Sequence, residues 1–289
     1  MINHSATIRS EDPSQDKGHR VMKKSRYEIL EEAVALVNKS ELSSIKQVVT
    51  EIIRIMSDER SSAKELKEII ERDPPLCSRL LKRVNSAAYG FPRTVSDIQD
   101  AIVFIGFDVV KELALSQKVC DIFRREVSFN GYSRQSLWRH CFAVAICSKM
   151  IYRREFRQRG DNVYVAGLLH ELGIIVEDQF FPEQFRQALE ISGPDKNNLH
   201  IAEKLILGVD HADIGRAIAE NWAFPEELSQ AIGAHHEPIL DSDEDNRVAL
   251  TVFVADYILQ REDIGYADAP CTDEILVDRC LSILNIQKQ

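Results

Sequence analysis

Apolar residues recur along this chain at three- and four-residue spacings, the mark of helices with one buried face. Ile29, Leu30, Ala33, Val34 and Val37 predict a first helix from near Tyr27. A second, from about Ser44, carries Ile45, Val48, Val49, Ile52, Ile53 and Met56 on one side. Ser62-x-x-Glu65 reads as a capping box, a reciprocal pairing that satisfies free amides, and opens a third helix through Ile69 and Ile70. Asp73-Pro74-Pro75 stops that helix, and Pro75 suits the first turn of a fourth with Leu76, Leu80, Leu81 and Val84. After the turn-rich Asn85–Pro92, Ser96-x-x-Gln99 predicts a cap for a helix burying Ile98, Ala101, Ile102 and Ile105. Gly106 interrupts, and a long helix runs to about Phe123. No alternating strand pattern appears in this half, so residues 26–130 read as a lobe of short stacked helices.

Phe129-Asn130-Gly131 marks the boundary to a second unit, 131–289. Ser133 starts a long helix with Trp138, Phe142, Ala145 and Met150 expected on its buried side and His140 among them. Its basic exit, Arg153, Arg154, Arg157 and Arg159, complements the helix dipole; the alternative is an anion-contacting patch. Next comes Tyr164–Gly173, apolar on nearly every face, ending in His170, Glu171 and a glycine. A helix apolar all round is buried, and burying an imidazole and a carboxylate costs free energy unless they are paired or bind a cation. Asp161 is expected to cap this helix and Gly173 to close or bend it. Further helices follow Phe180-Phe181-Pro182, the N-cap Asp210 with His211 in its first turn, and Phe224-Pro225. The last of these ends in His235, His236 and Glu237. A hydrophobic helix over 248–258 carries a lone Asp256, and an amphipathic one covers about 273–286. Gly193-Pro194 and the acidic Asp241–Asp245 read as loops. The fold class expected is all-α.

The 289 residues are 44% hydrophobic, enough for one large domain or two modest ones. The 46 acidic residues outnumber the 36 basic, a net charge of -10, which argues against a broad nucleic-acid surface. Cys77, Cys120, Cys141, Cys147, Cys271 and Cys280 form no C-x-x-C pair and read as reduced thiols. Residues 1–25 are polar, read as a flexible tail, and lack the apolar core of a signal peptide. No run approaches the length of a membrane span, so a soluble, cytoplasmic protein is expected.

His140, His170, Glu171, His211, His235, His236 and Asp256 are polar residues embedded in apolar helices, and histidine and carboxylate are ligands for iron, manganese or zinc. Taken singly each has a plain structural role, such as a cap or a local pairing. Six of the eight histidines fall, in order, in this half of the chain.

The order H…H-[DE]…H…H-H…D resembles the HD superfamily of metal-dependent phosphohydrolases. That resemblance implies a first metal site of His140, His170, Glu171 and Asp256, and a second of His211 with His235 or His236. A wider likeness, from about Glu41 to Leu259, is to the HDOD family, a divergent relative. It rests on S-S-A-K-E-L-K-E-I-I-E-R-D-P-P-L, L-L-K-R-V-N-S-A-A-Y-G, S-D-I-Q-D-A-I-V-F-I-G, A-G-L-L-H-E-L-G, D-H-A-D-I-G and A-H-H-E. It implies an HD-like helical bundle with an added N-terminal helical lobe and a bacterial regulatory role, commonly without catalysis. One departure stands out: the expected His-Asp doublet is His170-Glu171. The added methylene displaces the carboxylate by roughly 1.5 Å, while ligand distances tolerate about 0.2 Å. Two functions are therefore expected. One is a non-catalytic signalling module that binds a protein partner or a small nucleotide. The other is a metal-dependent phosphohydrolase acting on a nucleotide or cyclic dinucleotide.

Overall fold

Helix starts in this protein are set by side chains that accept the otherwise free amides of a first turn. In the computed structural model, which describes residues 24–58, 60–129, 131–192, 199–241, 246–264 and 274–287, Ser25 and Glu28 form a capping box at α1 (Arg26–Asn38). The expected tail, the Gly193-Pro194 loop, most of the acidic loop and Cys271 lie outside the described residues. After α2 (Leu42–Ser57), Ser62 and Glu65 form the expected box at α3 (Ala63–Glu71). Asp73 accepts from the Leu76 amide to cap α4 (Pro74–Val84), whose first residue is a proline with no amide to satisfy. The cap of α5 (Ile98–Ile105) is Asp97, not Ser96: its carboxylate adjoins the first helical residue and accepts from the Asp100 amide. Gly106, at φ 89°, separates α5 from α6 (Phe107–Val119), and a 3₁₀ turn follows over Cys120–Phe123.

A two-residue hairpin, β1 (Ser128–Phe129) against β2 (Tyr132–Ser133), is the one sheet among the described residues. Ser133 then caps α7 (Arg134–Phe156), followed by α8 (Asp161–Leu169), α9 (Leu172–Phe180) and α10 (Pro182–Ser192). The chain continues through α11 (Leu199–Ile206), α12 (His211–Asn221), α13 (Glu226–Gly233), α14 (Arg247–Arg261) and α15 (Glu274–Ile283). The fold is all-α.

One buried apolar cluster runs from Ile29 to Leu259, so early and late helices share a core. Every residue of α8 except Asn162 is buried, with α2, α7, α13 and α14 packed around it. The inward stripe of α7 is Leu137, His140, Cys141, Val144, Ser148 and Tyr152. Ala145 is buried as expected, Trp138 and Phe142 are half-buried, and Met150 points to solvent at 66% exposure, because it lies off that 3.6-residue stripe.

Asp161 is not the cap of α8. Gly160, at φ 73°, holds that position, and Asp161 is the first helical residue. Its carboxylate instead binds Lys111 of α6 at 3.0 Å and Lys149 of α7 at 2.7 Å, joining three helices through buried charges.

Candidate metal centre

The apolar helix α8 ends at Leu169 and α9 begins at Leu172, leaving His170 and Glu171 as the break between them. Glu171, at φ −93° and ψ 16°, leaves helical geometry there. Gly173 does not close α8; it sits in the first turn of α9. A Cβ on it would lie 1.8 Å from the carbonyl oxygen of His211, so the bare backbone lets α12 start against α9. That approach sets His211 Nε2 3.1 Å from Glu171 Oε2.

The structure brings all seven polar residues together. His140 of α7, His170 and Asp256 of α14 form one group that could hold a metal ion, and His211, His235 and His236 another; within each group the donor atoms lie within 4.8 Å of one another. In the first, Asp256 Oδ1 is 2.9 Å from His140 Nε2 and 3.9 Å from His170 Nε2. In the second, His211 Nε2 is 2.7 Å from His236 Nε2 and 3.3 Å from His235 Nε2. Glu171 stands between the groups, with Oε1 3.7 Å from His170 Nε2 and Oε2 3.9 Å from His235 Nε2.

Local contacts aim the rings. His170 Nδ1 meets the Gly167 carbonyl at 2.8 Å and His235 Nδ1 the Ile232 carbonyl at 2.7 Å. A carbonyl only accepts, so each Nδ1 carries the proton and each Nε2 turns a lone pair inward. Glu203 Oε2 fixes the His211 ring by accepting from Nδ1 at 2.6 Å. Gln260 donates to Asp256 Oδ2 at 2.8 Å and leaves Oδ1 facing the histidines.

The electrostatics follow from burial and proximity. Burial pulls the His170 pKa down to about 4. Burial also pushes Glu171 up, but the charge of His211, with those of His170 and His235, outweighs it, and the carboxyl lies well below its ordinary range. For His211 burial opposes the charge, yet Glu203 and Glu171 together hold its pKa well above normal.

His140 Nε2, His170 Nε2, both Glu171 oxygens and Asp256 Oδ1 are buried without a hydrogen bond of good geometry. Each such group costs about 1–3 kcal/mol when left unsatisfied, and a divalent cation among them would satisfy several at once. The donor set therefore fits a metal.

Three supporting residues escape a reading of the sequence. Glu203 of α11 accepts from both the backbone amide and the ring of His211. Behind it Glu177 of α9 is buried, and burial with the adjacent Glu203 charge pushes its pKa well up. His200 stacks on His236, ring centroids 4.4 Å apart. Glu203 lies in an ordinary amphipathic helix, where a glutamate normally faces water, and only its placement against His211 sets it apart.

An all-α bundle thus encloses two neighbouring groups of possible metal donors, with Glu171 between them. The chain belongs to the HDOD domain family, whose model matches residues 42–238. A curated protein of Treponema pallidum (strain Nichols), uncharacterized, is 26% identical over 198 residues. The match covers 68% of this chain and 38% of that protein, so the chain matches well under half of that relative's length. A crystal structure of an HDOD domain protein of unknown function from Geobacter sulfurreducens superposes with a TM-score of 0.75 at 24% identity, over 90% of this chain and 87% of that one. A candidate phosphohydrolase from Shewanella amazonensis SB2B superposes with a TM-score of 0.67 at 22% identity, over 90% of each chain. At these identities the likeness to solved structures is one of fold.

Proposed function

We propose that this chain is a cytoplasmic regulatory module that carries a closed metal centre and signals by binding a protein partner or a small nucleotide, without hydrolysing it. In this reading His140, His170 and Asp256 hold one divalent ion, and His211, His235 and His236 a second. Glu171 lies between them. The imidazole and carboxylate donors suit iron, manganese or zinc.

The observation that carries the reading is enclosure. His140, His170, Glu171, His211, His235 and Asp256 are at most 4% exposed, and only His236 is half-buried. A catalytic centre keeps an open position for water and substrate, whereas a structural one is closed by protein. Bound metal in an open site would activate water and neutralise charge on a phosphate. Here the side chain of Glu171, one methylene longer than aspartate, occupies the space between the groups.

Metal analysis of protein purified without chelator tests this. At least one iron, manganese or zinc ion per chain is expected, lost in His170→Ala, with nucleotides and cyclic dinucleotides remaining intact. Turnover that disappears in His170→Ala would overturn the non-catalytic reading. It would favour a metal-dependent phosphohydrolase, for which the position of Glu171 between two donor groups is the supporting observation. Among the described residues no helix is long and apolar enough to cross a membrane.

A further inference from the structure

A narrow cleft between the β1–β2 hairpin and the α9–α10 turn has a buried carboxylate at its floor. Its walls include Phe129 of β1 with Phe185 and Leu189 of α10, and its volume is about 200 Å³. Sites that enclose a whole drug-sized ligand run to roughly 300–1,000 Å³. This cleft therefore takes one ring and leaves the rest of a ligand outside.

The floor is built in advance by Arg134, a buried side chain. It donates through Nε to Asp178 Oδ2 at 2.6 Å, through Nη1 to the Ile122 carbonyl at 3.1 Å and through Nη2 to Gln179 Oε1 at 3.4 Å. Tyr132 donates to the same Asp178 oxygen at 3.2 Å. These contacts fix Asp178 and Gln179 side by side, and both line the cleft. A carboxylate accepts hydrogen bonds on both oxygens, yet here one oxygen carries all the pairing. Asp178 Oδ1 accepts no hydrogen bond among the described residues, although the side chain is only 6% exposed, and it is open to the cleft. Gln179 keeps its amide NH₂ as a donor, because its oxygen faces Arg134. An acceptor and a donor thus stand together beside aromatic rings. That pattern matches a nucleobase, whose edge sets an N–H next to an acceptor and whose face stacks on aromatic side chains.

Charge narrows the choice of ligand. Arg134 balances Asp178, so the floor does not call for a cation. The rim is basic. Arg125 is exposed and makes no ion pair among the described residues, and Arg186 lies 5.7 Å over the Phe129 ring. Glu183 is 3.8 Å from Arg186 with both side chains largely exposed, a weak pairing.

We infer that this cleft binds a mononucleotide with its base inward. The base edge meets Asp178 Oδ1 and the Gln179 amide, and the ring lies against Phe129 and Phe185. The phosphate stays at the rim, where the forks of Arg125 and Arg186 suit its oxygens. The inference rests on the reading of the chain as a nucleotide-binding module and gives the nucleotide a place outside the histidine groups. The helix α9 joins the two, since it starts beside Glu171 and carries Asp178.

The test is calorimetric titration of the full chain with the adenosine, guanosine, cytidine and uridine monophosphates, their nucleosides, a cyclic dinucleotide and inorganic phosphate. At least one monophosphate is expected to bind, with its nucleoside and inorganic phosphate both weaker. Arg125→Gln combined with Arg186→Gln is expected to weaken that monophosphate roughly tenfold, to the level of its nucleoside. Phe129→Ala is expected to weaken monophosphate and nucleoside alike. So is Asp178→Asn, with a lower melting temperature because Arg134 loses its charge partner; the arginine and Phe129 variants carry the test independently of it. Binding by the cyclic dinucleotide alone, or monophosphate binding that neither the arginine pair nor Phe129→Ala diminishes, overturns the cleft and leaves the nucleotide reading standing. No binding by any nucleotide at millimolar concentration overturns both. Inorganic phosphate binding as tightly as the monophosphate overturns the base-inward assignment.

Discussion

Gly173→Ala is expected to cost more than about 4 kcal/mol of stability, the range reached by gross overpacking. The new Cβ would sit 1.8 Å from the His211 carbonyl oxygen, 2.6 Å from its carbon and 2.8 Å from its Cα. All three are backbone atoms, so no rotamer change relieves the clash. The helices α9 and α12 have to part, and α12 has little room to retreat on its other side, where a Cβ on Gly215 would already lie 2.9 Å from Ile232 of α13. Parting them also draws His211 away from Glu171, now 3.1 Å distant. Thermal unfolding followed by circular dichroism should show a fall of at least about 10 °C. A melting point within two degrees of wild type would mean that α9 and α12 do not approach as described.

Asp161→Ala is the second large effect, expected at about 3 kcal/mol, the cost of breaking a buried ion pair by removing one partner. It strands Lys111 at 2% exposure and Lys149 at 5%. The loss is tempered because Lys149 keeps Glu112 at 2.7 Å and Lys111 keeps Asp108 at 3.2 Å. Lys111→Met should cost less, because Asp161 retains Lys149. A pH dependence follows. Burial raises the Asp161 pKa, but the two lysines outweigh it, so the folded value lies below the ordinary one. Stability from such a group is complete above the unfolded pKa of about 3.9 and is lost as pH falls through the folded value. Urea unfolding should therefore show a wide gap between wild type and Asp161→Ala at neutral pH, narrowing in acid. A gap that stays constant down to acid would refute the assignment.

Local signals in the sequence foretold local structure. The box at Ser62 and Glu65, the helix start at Ser133 and the cap at Asp210 formed where expected, because each joins residues three apart. Errors arose where neighbours competed or the deciding contact was distant. Asp97 displaced the adjacent Ser96 at α5. Asp161 turned to two lysines from other helices in place of its own first turn. Gly173 is expected to close or bend α8, and its part in bringing α9 onto α12 is visible only beside His211.

By itself, then, the sequence determined the helices, their buried faces and the presence of imidazoles and acids on those faces. Periodicity and capping are short-range properties, and they survive reading one residue after another. Tertiary structure alone decided that His140, His170 and Asp256 meet in one group and His211, His235 and His236 in another. It also decided that Glu171 stands between the groups and that Glu203 aims His211. Those meetings depend on how closely the helices can cross. The crossing of α9 and α12 is set at Gly173, where the absence of a side chain brings two backbones together.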